Sequence, residues 1–313
     1  MQKDVLVIGE LNVDILLNKV KGFPAIGQEI LADEMTFTLG SSSAIFAANL
    51  ASLGVTTSFC GMVGRDLFGK YVLAELYRKK VDTSLISEVA QHQTGVTIIL
   101  NYEQDRANVT HGGAMEYFDL SNIPVDQFLN YRHLHISSYF LQKSLQKDIV
   151  QLFQIAHEKG ISTSLDLQWD PANEWIFPYE SCLPFVDFFL PNEGEILALT
   201  GMDQLPDAFE VLHDCSNTIV VKRGVKGALA YHKGTYTEAV PYLHSQFVDA
   251  IGAGDSFNAG FISSFLQGKS LKESLMFGNL AGAINTTAAG GTSAFTDRSS
   301  FVIKAKSIFN VEA

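Results

Sequence analysis

Residues 133–166 read HLHISSYFLQKSLQKDIVQLFQIAHEKGISTSLD. The segment begins and ends with short strand-like runs, 133–137 and 162–166, and between them the apolar residues of 145–159 recur at helical spacing. Two strands separated by one amphipathic helix indicate a βαβ unit, whose strands lie parallel in one sheet. This stretch therefore predicts a sheet of parallel strands with helices packed on its faces.

The same alternation of strand-like and helix-like segments extends in both directions from this unit. The further predicted strands are 5–8, 57–63, 185–190, 218–222, 228–232 and 235–240, and the further predicted helices are 43–53, 67–80, 193–200, 208–215, 254–266 and 271–288. Such a series predicts an α/β fold in which a doubly wound, mostly parallel sheet is the middle of three α/β/α layers.

Two segments interrupt this alternation. Glycine and proline break residues 14–39 into short pieces, and residues 94–113 contain a second predicted strand pair with its turn at 103–105. Short pieces of this kind indicate small antiparallel strands. We expect the two segments to pair into one small β-sheet, a lid over the rim where α/β proteins bind ligands. No linker separates them from the rest, so residues 1–313 are predicted to form a single domain.

The composition restricts the possible partners. The chain has 313 residues, 47% of them hydrophobic, and a formal net charge of −12. An acidic chain is a poor ligand for nucleic acid or an anionic membrane, which attract basic surfaces. The apolar runs are too short to cross a bilayer, and the first residues lack a secretory pattern. Three cysteines that are far apart indicate reduced thiols, so we expect a cytoplasmic protein.

A glycine-rich stretch near the C-terminus carries the strongest chemical signal. Residues 249–257 read DAIGAGDSF, and a helical pattern begins at Gly254. Small residues allow a close approach of the backbone to a ligand, and the free N–H groups at the start of a helix attract anions. Asp255 is either a cap of the first helical turn or a base that takes a proton from a hydroxyl beside the bound anion.

This stretch resembles the C-terminal motif of the ribokinase-like carbohydrate kinases, the phosphofructokinase B group, which is D-T-x-G-A-G-D-x-F. Only the threonine differs, because Ala250 occupies its position. The resemblance implies that Asp255 is the catalytic base. It also implies that the backbone of Gly252, Ala253 and Gly254, together with Asp255, forms an anion hole for the phosphoryl group transferred from ATP.

The resemblance extends in matching order from Gly9 to about Gly291. Residues 9–14, GELNVD, are similar to the family's opening motif G-x-x-N-x-D. By resemblance Asn12 and Asp14 bind the substrate, and a carboxylate suits a polyol because it accepts hydrogen bonds from two hydroxyls at once.

The helix that follows departs from the family's pattern. Gly40 and Ser41 stand where the family has two glycines, and Ile45 replaces an asparagine. Both Gly40 and Ser41 are predicted to present their backbone to the substrate. The loss of one amide and the gain of an apolar side chain indicate a substrate with fewer hydroxyls there, or with an apolar substituent.

Two further positions bear on the charge of the substrate. The family's usual D-x-N-x-R is replaced here by DLQWD, with Gln168 for the asparagine and Asp170 for the arginine. An arginine that would hold an anionic substrate is therefore absent from this motif. Arg106 on the predicted lid is either a contact to a charged group of the substrate or an exposed edge charge.

The resemblance also implies a nucleotide site. Its predicted residues lie on an N-x-x-E motif, on a strand with its following turn, and on a late helix: Asn192, Lys222, Gly224, Gly227 and Asn279. Glu195 of the N-x-x-E motif is predicted to orient the water shell of Mg²⁺, although the same motif on its own is typical of a helix cap. A K⁺ ion is expected near Asp249, the Ile251 carbonyl and Gly291.

These patterns together predict an ATP-dependent kinase that transfers the γ-phosphoryl group to a hydroxyl of a sugar or sugar-like small molecule. A nucleoside kinase remains an alternative, since Ile45, Phe46 or Tyr139 would pack against a base, and so does a catalytically silent sugar-binding regulator. A homodimer through an exposed face of the lid is possible. The identity of the sugar and of its phosphorylated hydroxyl stays open.

Overall fold

A computed structural model describes residues 3–102 and 106–312, so the predicted turn at 103–105 lies outside the described residues. The described chain forms two β-sheets, of nine and four strands. The strands are β1 Lys3–Ile8, β2 Asn12–Val20, β3 Ala32–Leu39, β4 Thr57–Gly64, β5 Asp82–Val89, β6 Gly95–Asn101, β7 Arg106–His111, β8 Tyr131–Ser137, β9 Ser162–Asp166, β10 Phe188–Phe189, β11 Thr218–Lys222, β12 Ala228–His232 and β13 Thr235–Ala239.

The helices that cover these sheets alternate with the strands, as the sequence predicts. They are α1 Ser42–Ser52, α2 Leu67–Arg78, α3 Lys143–Gln146, α4 Ile149–Glu158, α5 Tyr179–Cys182, α6 Glu193–Thr200, α7 Leu205–Leu212, α8 Ala253–Leu266, α9 Leu271–Asn285 and α10 Arg298–Phe309. No helix in the described part of the chain is long and apolar enough to cross a membrane.

The large sheet has the strand order β13-β12-β11-β10-β9-β8-β1-β4-β5. Every neighbouring pair from β11 to β5 is parallel, and only the β13-β12-β11 edge is antiparallel. The chain starts at β1, winds outward on one side to β4 and β5, and returns to β8 on the other. The prediction of a doubly wound, mostly parallel sheet is confirmed.

Strand β1 shows why this sheet needs helices on both faces. Leu6 and Ile8 pack into one large apolar cluster, whereas Val5 and Val7 pack into another. Successive side chains of a strand point to opposite faces, so an uninterrupted apolar strand is stable only when both faces are covered. The polar residues of the neighbouring loops therefore collect at the strand ends.

The small sheet has the order β3-β2-β6-β7 and comes entirely from the two segments predicted as a lid. Strand β2 pairs antiparallel with β3 and parallel with β6, which is distant in sequence. Asp14 and Thr97 are register partners across the parallel pair. One face of this sheet thus carries polar side chains, and alternate positions such as Ile15 and Ile98 carry apolar ones.

Some elements differ from the sequence prediction. Strand β5 and helix α10 are not predicted, because β5 is a half-buried edge strand and α10 fully buries only Phe301 and Ala305. The predicted strand 185–190 is reduced to Phe188–Phe189, because residues 183–185 form a 3₁₀ turn. Apolar patterns that are weak or interrupted give little periodic signal.

Helices α8 and α9 pack unusually closely because glycines lie between them. A Cβ atom on Gly260 would lie 2.7 Å from the Cβ of Ala281, and one on Gly278 would lie 2.9 Å from the Phe257 ring. Neither glycine can be replaced by a larger residue without a shift of a helix. This contact fixes α8, whose first turn contains Asp255.

Candidate active site

Two clefts meet at the start of helix α8. The first cleft, of about 800 Å³, lies between the small sheet and the carboxyl ends of the large sheet's strands, and Gly252 and Asp255 line it. The second cleft, of about 300 Å³, is lined by Ala253 and Gly254 on its other side. Four consecutive residues thus form the wall that the two clefts share.

The backbone N–H groups of this shared wall have no side-chain cap. Gly252 adopts a left-handed conformation, with φ of 71°, and directly precedes the 14-residue helix α8, whose first turn has no side-chain cap. A Cβ at Gly252 would lie 2.5 Å from the Cα of Gly291, so only glycine fits. Ala253 donates its N–H to the Ala250 carbonyl, at 3.2 Å, but the N–H groups of Gly254 and Asp255 donate to no other described residue. The positive end of α8 therefore faces the junction of the clefts.

Asp255 is buried at this junction. One of its oxygens, Oδ1, accepts a hydrogen bond from Nε2 of Gln168, at 3.1 Å. Burial and the neighbouring Asp166 carboxylate raise the pKa of Asp255 well above its ordinary value, while the Lys222 ammonium opposes this shift. A carboxyl with a raised pKa in a cleft suits proton transfer near neutral pH.

Lys222, at the end of β11, forms an ion pair with Asp166, at the end of β9. Asp166 also accepts a hydrogen bond from Nδ2 of Asn258, at 2.6 Å. Burial lowers the pKa of Lys222, but the Asp166 and Glu195 carboxylates outweigh burial and leave that pKa raised. Lys222 is therefore a charged ammonium inside a group of buried carboxylates.

Residues 2–298 match the pfkB family carbohydrate kinases. The chain belongs to this family. PfkB kinases transfer a phosphoryl group from ATP to an alcohol, so the chain is an ATP-dependent kinase of a sugar or sugar-like substrate. The predicted catalytic motif and the shared wall of the two clefts coincide in the same four residues.

Individual pfkB proteins resemble the chain over nearly its whole length. Ribokinase from Haemophilus influenzae is 29% identical over 306 residues, which cover 95% of this chain and 97% of that protein. Two solved structures share the fold. A protein described as ribokinase II from E. coli, in complex with ATP and Mg²⁺, has a TM-score of 0.82, 24% identity and coverage of 96% and 97%. Adenosine kinase from Sinorhizobium meliloti has a TM-score of 0.79, 23% identity and coverage of 93% and 96%.

The residues predicted to bind substrate lie at the first cleft. Asn12 and Asp14 line it from β2, and Nδ2 of Asn12 donates to Oδ1 of Asp14, at 2.9 Å, and to Oγ1 of Thr97, at 3.1 Å. Burial raises the pKa of Asp14 to about 7. A Cβ on Gly40 would lie 2.2 Å from Oδ1 of Asp14, so the glycine leaves the space that this carboxylate occupies.

Ser41 and Arg106 also line the first cleft, from opposite sides. The Ser41 hydroxyl is occupied within the protein, because it donates to the Glu10 carbonyl, at 2.6 Å, and accepts from the N–H of Ala44, at 2.9 Å. Ser41 thus caps helix α1. Arg106 is on β7 of the small sheet.

The second cleft brings together four of the predicted nucleotide-binding residues, which are Lys222, Gly224, Gly227 and Asn279. The Asn279 amide is already engaged, because its Nδ2 donates to the Ala239 and Val240 carbonyls, at 3.1 and 2.9 Å. Asn279 therefore fixes the end of β13 at the wall of this cleft. The remaining wall is largely apolar, as a flat aromatic base would require.

Asn192 and Glu195 form a reciprocal cap at the start of helix α6. Oδ1 of Asn192 accepts from the N–H of Glu195, at 2.9 Å, and Oε2 of Glu195 accepts from the N–H of Asn192, at 2.8 Å. The helix-cap interpretation of N-x-x-E is therefore observed. Burial, followed by the Asp166 charge, raises the pKa of Glu195 to about 7, so its carboxyl also belongs to the buried acidic group.

The predicted cation site joins two loops. The Asp249 carboxylate accepts from the N–H groups of Ile251 and Gly290, both at 2.9 Å. The Ile251 carbonyl accepts from Nδ2 of Asn285, at 2.6 Å, and the Gly291 carbonyl accepts from Nδ2 of Asn49, at 2.8 Å. Oδ1 of Asn285 is buried without a hydrogen-bond partner among the described residues.

Glu10 and Gln168 are two polar cleft residues that the sequence prediction does not assign to the site. Glu10 lines the first cleft although it is only 1% exposed, and its carboxylate is held by the N–H and hydroxyl of Ser43. Gln168 lines the same cleft and contacts Asp255. A polar residue that directly follows a buried parallel strand is the sequence signal that identifies such positions, because strand ends form the ligand site.

Proposed function

We propose that this kinase phosphorylates a hydroxyl of a neutral sugar or polyol, with Asp255 as the general base. The observation that carries the proposal is the shared wall, because Gly252 and Asp255 face the first cleft while Ala253 and Gly254 face the second. A hydroxyl in the first cleft and a phosphoryl group from the second would meet at the bare start of helix α8. Asp255 takes the hydroxyl proton, and the free amides stabilise the charge on the phosphoryl oxygens.

The charge of the first cleft supports a neutral substrate. Lys143, one of its basic residues, is paired with Glu116, at 2.6 Å. Acidic side chains outnumber basic ones here, and an anionic group bound in the cleft would oppose the ionisation of Asp14 and Asp255, whose pKa values burial already raises. Sugar acids and sugar phosphates are therefore disfavoured. Among the described residues, the charged side chains that line this cleft are the acids Glu10, Asp14, Glu116, Asp170 and Asp255 and the bases Arg106 and Lys143.

Asn12 and Asp14 are proposed to fix the sugar, with the backbone of Gly40 and Ser41. The Asp14 carboxylate accepts hydrogen bonds from hydroxyls, and Asn12 holds that carboxylate in place. Arg106 closes the cleft from the small sheet. Binding groups on both sides of the substrate orient its hydroxyl towards Asp255, and such positioning supplies much of the rate enhancement of a phosphoryl transfer.

The second cleft is proposed to hold ATP. Gly224 and Gly227 allow a close approach of the backbone to the phosphates and ribose, and Asn279 shapes the wall beside the base. Lys222 and Asn192 are assigned to the phosphates. Lys222 would add its positive charge to that of the helix start, since it lies close to Gly254.

The small sheet is proposed to act as a lid, formed by segments 14–39 and 94–113 of a single domain, 1–313. Leu16 and Ile99 of this sheet pack against Ile251, which precedes the shared wall. This apolar contact would exclude water that competes with the sugar hydroxyl for the phosphoryl group.

Mg²⁺ fits the buried carboxylates beside the nucleotide site, of which Glu195 is one. The described residues contain no cluster of three or more His, Cys, Asp or Glu side chains placed to hold a metal ion. Mg²⁺ keeps several waters and binds through one or two carboxylates and the substrate phosphates, which suits Glu195 acting through water. When bound, the ion neutralises charge on the phosphates. The three cysteines are free, which supports the proposed cytoplasmic location.

K⁺ is proposed as an activating cation at the loop of Asp249, Ile251 and Gly291. The candidate ligand atoms there are all oxygens, which K⁺ prefers. Oδ1 of Asn285, which is buried without a hydrogen-bond partner among the described residues, adds one more. The cation would hold together the two loops that support the shared wall.

We therefore expect K⁺ to raise both the rate and the thermal midpoint of unfolding above the values in tetramethylammonium chloride of the same ionic strength. A cation that binds only the folded protein stabilises it by mass action. Rate assays and thermal scans in the chlorides of K⁺, Na⁺ and tetramethylammonium would measure both effects. Equal rates and equal midpoints in all three salts would reject the site.

A nucleoside kinase is the second candidate, because apolar side chains also line the first cleft. Ile45, Phe140 and Trp169 are in its wall, and each offers a surface on which a base can stack. The discriminating experiment is a panel of neutral sugars, sugar acids, sugar phosphates and nucleosides in a coupled ADP assay. Phosphorus NMR would then map the phosphorylated hydroxyl.

The outcome of the panel separates the candidates. Turnover with a neutral sugar and weak turnover with its acid and phosphate support the proposal. A clear preference for nucleosides assigns the second candidate instead. Binding of a sugar without ADP release would indicate the silent sugar-binding regulator.

A homodimer through the small sheet is also proposed. One row of side chains crosses all four strands, because Ile15 is the register partner of Phe37 and Ile98, and Ile98 is the partner of Val109. Ile98 and Val109 are 39% and 64% exposed. Phe37, at the β3 end of the row, packs against Phe68 and Tyr71 of α2, whereas the end formed by Ile98 and Val109 is exposed and suits burial against the same residues of a second copy.

The variant Ile98→Lys, Val109→Lys is expected to convert a dimer into a monomer, because it places like charges in the centre of the two-fold interface. Light scattering after size exclusion gives the mass directly. Ile303→Lys, an exposed apolar position on α10, is the matched control and should keep the mass of the unmodified protein. A monomeric unmodified protein, or an unchanged mass of the double variant, contradicts the proposal.

A further inference from the structure

Gln168 connects two carboxylates at the centre of the site. It lies two residues beyond β9, and its Nε2 donates to Oδ2 of Asp166 and to Oδ1 of Asp255, both at 3.1 Å. Its own N–H also points at Oδ1 of Asp166, at 3.3 Å. One side-chain amide thus joins the end of a strand to the first turn of helix α8, across 87 positions of sequence.

The orientation of this amide follows from electrostatics. If the amide were rotated by 180°, its oxygen would face both carboxylates and repel each of them. With the NH₂ group inward, two N–H bonds point at two carboxylate oxygens, and hydrogen bonds to charged groups are the stronger kind. Both donors of the Gln168 NH₂ group are then used.

The backbone of Gln168 is held in an unfavourable conformation. Its φ is 59°, in the left-handed region that residues other than glycine and asparagine seldom adopt. Strain of this kind persists where the surrounding structure enforces it, and it occurs frequently at functional sites. A glycine or asparagine here would relieve the backbone but could not span the same distance, which indicates that the length and amide of glutamine matter.

Asp255 has several charged neighbours besides this amide. Asp166 is the last residue of β9 and Glu10 lies two residues beyond β1, and both carboxylates disfavour the ionised form of Asp255. Lys222 of β11 favours it, and Glu195 of α6 interacts with Asp166 and Lys222. Gln168 donates a hydrogen bond to Oδ1 of Asp255, and a side-chain hydrogen bond from Ser42 also favours the ionised form of Asp255.

We propose that Gln168 is a positioning residue for the general base: its amide fixes Oδ1 of Asp255 and leaves Oδ2 to take the proton of the substrate hydroxyl. The inference rests on the proposed role of Asp255. Under this proposal the residue that orients the base follows β9, whereas the base itself lies in the first turn of helix α8. Loss of the amide would let the carboxyl rotate and would remove a donor that favours its ionised form.

The test compares Gln168→Met with Gln168→Gly. Methionine keeps the length and the backbone strain of glutamine but has no donor, whereas glycine removes both the strain and the donor. We expect each variant to lower kcat about tenfold and to move the acid limb of the kcat/KM profile up by about one pH unit, because a hydrogen bond to a charged group is lost. The acid limb moves to higher pH because Asp255 must be ionised to act as a base, and loss of the donor raises its pKa.

Binding and stability controls distinguish positioning from a general structural effect. The Kd for ATP, measured by calorimetry, should change less than about twofold, since Gln168 does not line the second cleft. Gln146→Met is the matched control, because Gln146 is partly buried and its side-chain amide donates to the Tyr139 and Phe140 carbonyls, away from Asp255. It should keep the acid limb of the unmodified enzyme.

A double-mutant cycle with Asp255→Asn separates this inference from the proposed function. If Gln168 acts through Asp255, adding Gln168→Met to Asp255→Asn should cause no further loss of kcat. A pH limb that does not move, or a full tenfold further loss in the double variant, would overturn the inference while Asp255 remains the base. Near-normal turnover of Asp255→Asn would instead remove the proposed function itself. If the methionine variant unfolds, the strain-free glycine variant decides.

Discussion

Asp255→Asn is expected to lower turnover roughly 10²–10⁴-fold, the loss that follows removal of a general base. Asparagine has nearly the shape of aspartate and can still accept the hydrogen bond from Gln168, but it cannot take a proton from the substrate hydroxyl. The second cleft and the free amides at the start of helix α8 remain as they are. The Kd for ATP should therefore stay within about threefold.

The measurement is a coupled ADP assay with calorimetric titration of ATP. Asp187→Asn is the matched control, because the Asp187 carboxylate accepts from the N–H of Thr163 at the end of β9 that is remote from Asp166. The control should keep its turnover even if it loses stability. Turnover of Asp255→Asn within a few-fold of normal would mean that another group removes the proton.

The acid dependence of the enzyme provides a consistency check on the same residue. Burial holds the pKa of Asp255 well above its ordinary range, so the base is lost by protonation at a higher pH than an exposed aspartate would be. The acid limb of kcat/KM should therefore lie clearly above the ordinary range of an aspartate. In Asp255→Asn that limb should disappear from the residual activity.

The sequence predicts most of the fold because strand and helix periods are local properties. The unit formed by β8, α4 and β9 is visible in residues 133–166, although the predicted helix 145–159 divides into α3 and α4. Local periodicity does not reveal the elements at the edge of the structure. Strand β5 is half-buried and helix α10 buries a narrow stripe, so neither shows the contrast between apolar and polar faces that identifies an element.

For the site, the sequence predicts which residues meet but not how they are held. Lys222 and Asp255 come together because one ends a strand and the other begins a helix at the same edge of the large sheet, and Asp14 faces them from the first residues of β2 in the small sheet. The contact of Gln168 with Asp255 has no such local cause. It depends on a left-handed backbone conformation two residues after β9, and no propensity of glutamine favours that conformation.

Lys222→Met is expected to lower the free energy of unfolding by about 3–5 kcal/mol, the range for breaking a buried ion pair by removal of one partner. The Lys222 side chain is 10% exposed and that of Asp166 is fully buried. Glu195 and Asp255 are buried close by, and both interact electrostatically with Lys222. Without the ammonium, Asp166, Glu195 and Asp255 lose the buried cation with which all three interact.

The loss should grow as the pH rises. Burial and the Asp166 charge already raise the pKa of Glu195 to about 7, above its unfolded value of 4.5, and Lys222 opposes this shift. A carboxyl with a raised folded pKa costs nothing below its unfolded pKa. The destabilisation grows as the pH rises from the unfolded to the folded pKa and is constant above the folded pKa. Removing Lys222 raises that pKa further, so urea unfolding should show a larger deficit at pH 8 than at pH 5.

Lys226→Met is the matched control, because Lys226 pairs with Glu193 at 3.2 Å while its side chain is 60% exposed. An exposed pair of this kind contributes at most about 1 kcal/mol, so the control should remain close to the unmodified protein. A deficit of Lys222→Met that is no larger than that of Lys226→Met, or that does not change with pH, would contradict the assignment of Lys222 as the cation that balances the buried carboxylates.

The double variant Lys222→Met, Asp166→Asn distinguishes two roles of Lys222, which are to balance the buried carboxylates and to contact the phosphates. If Lys222 serves mainly to balance charge, removing one carboxylate as well should restore a large part of the lost stability, because fewer buried charges are left unpaired. If Lys222 also contacts the phosphates, the double variant should fold stably and still bind ATP weakly. Stability and nucleotide affinity then report separate roles of the same ammonium, which lies between the acidic group and the start of helix α8 and can serve both.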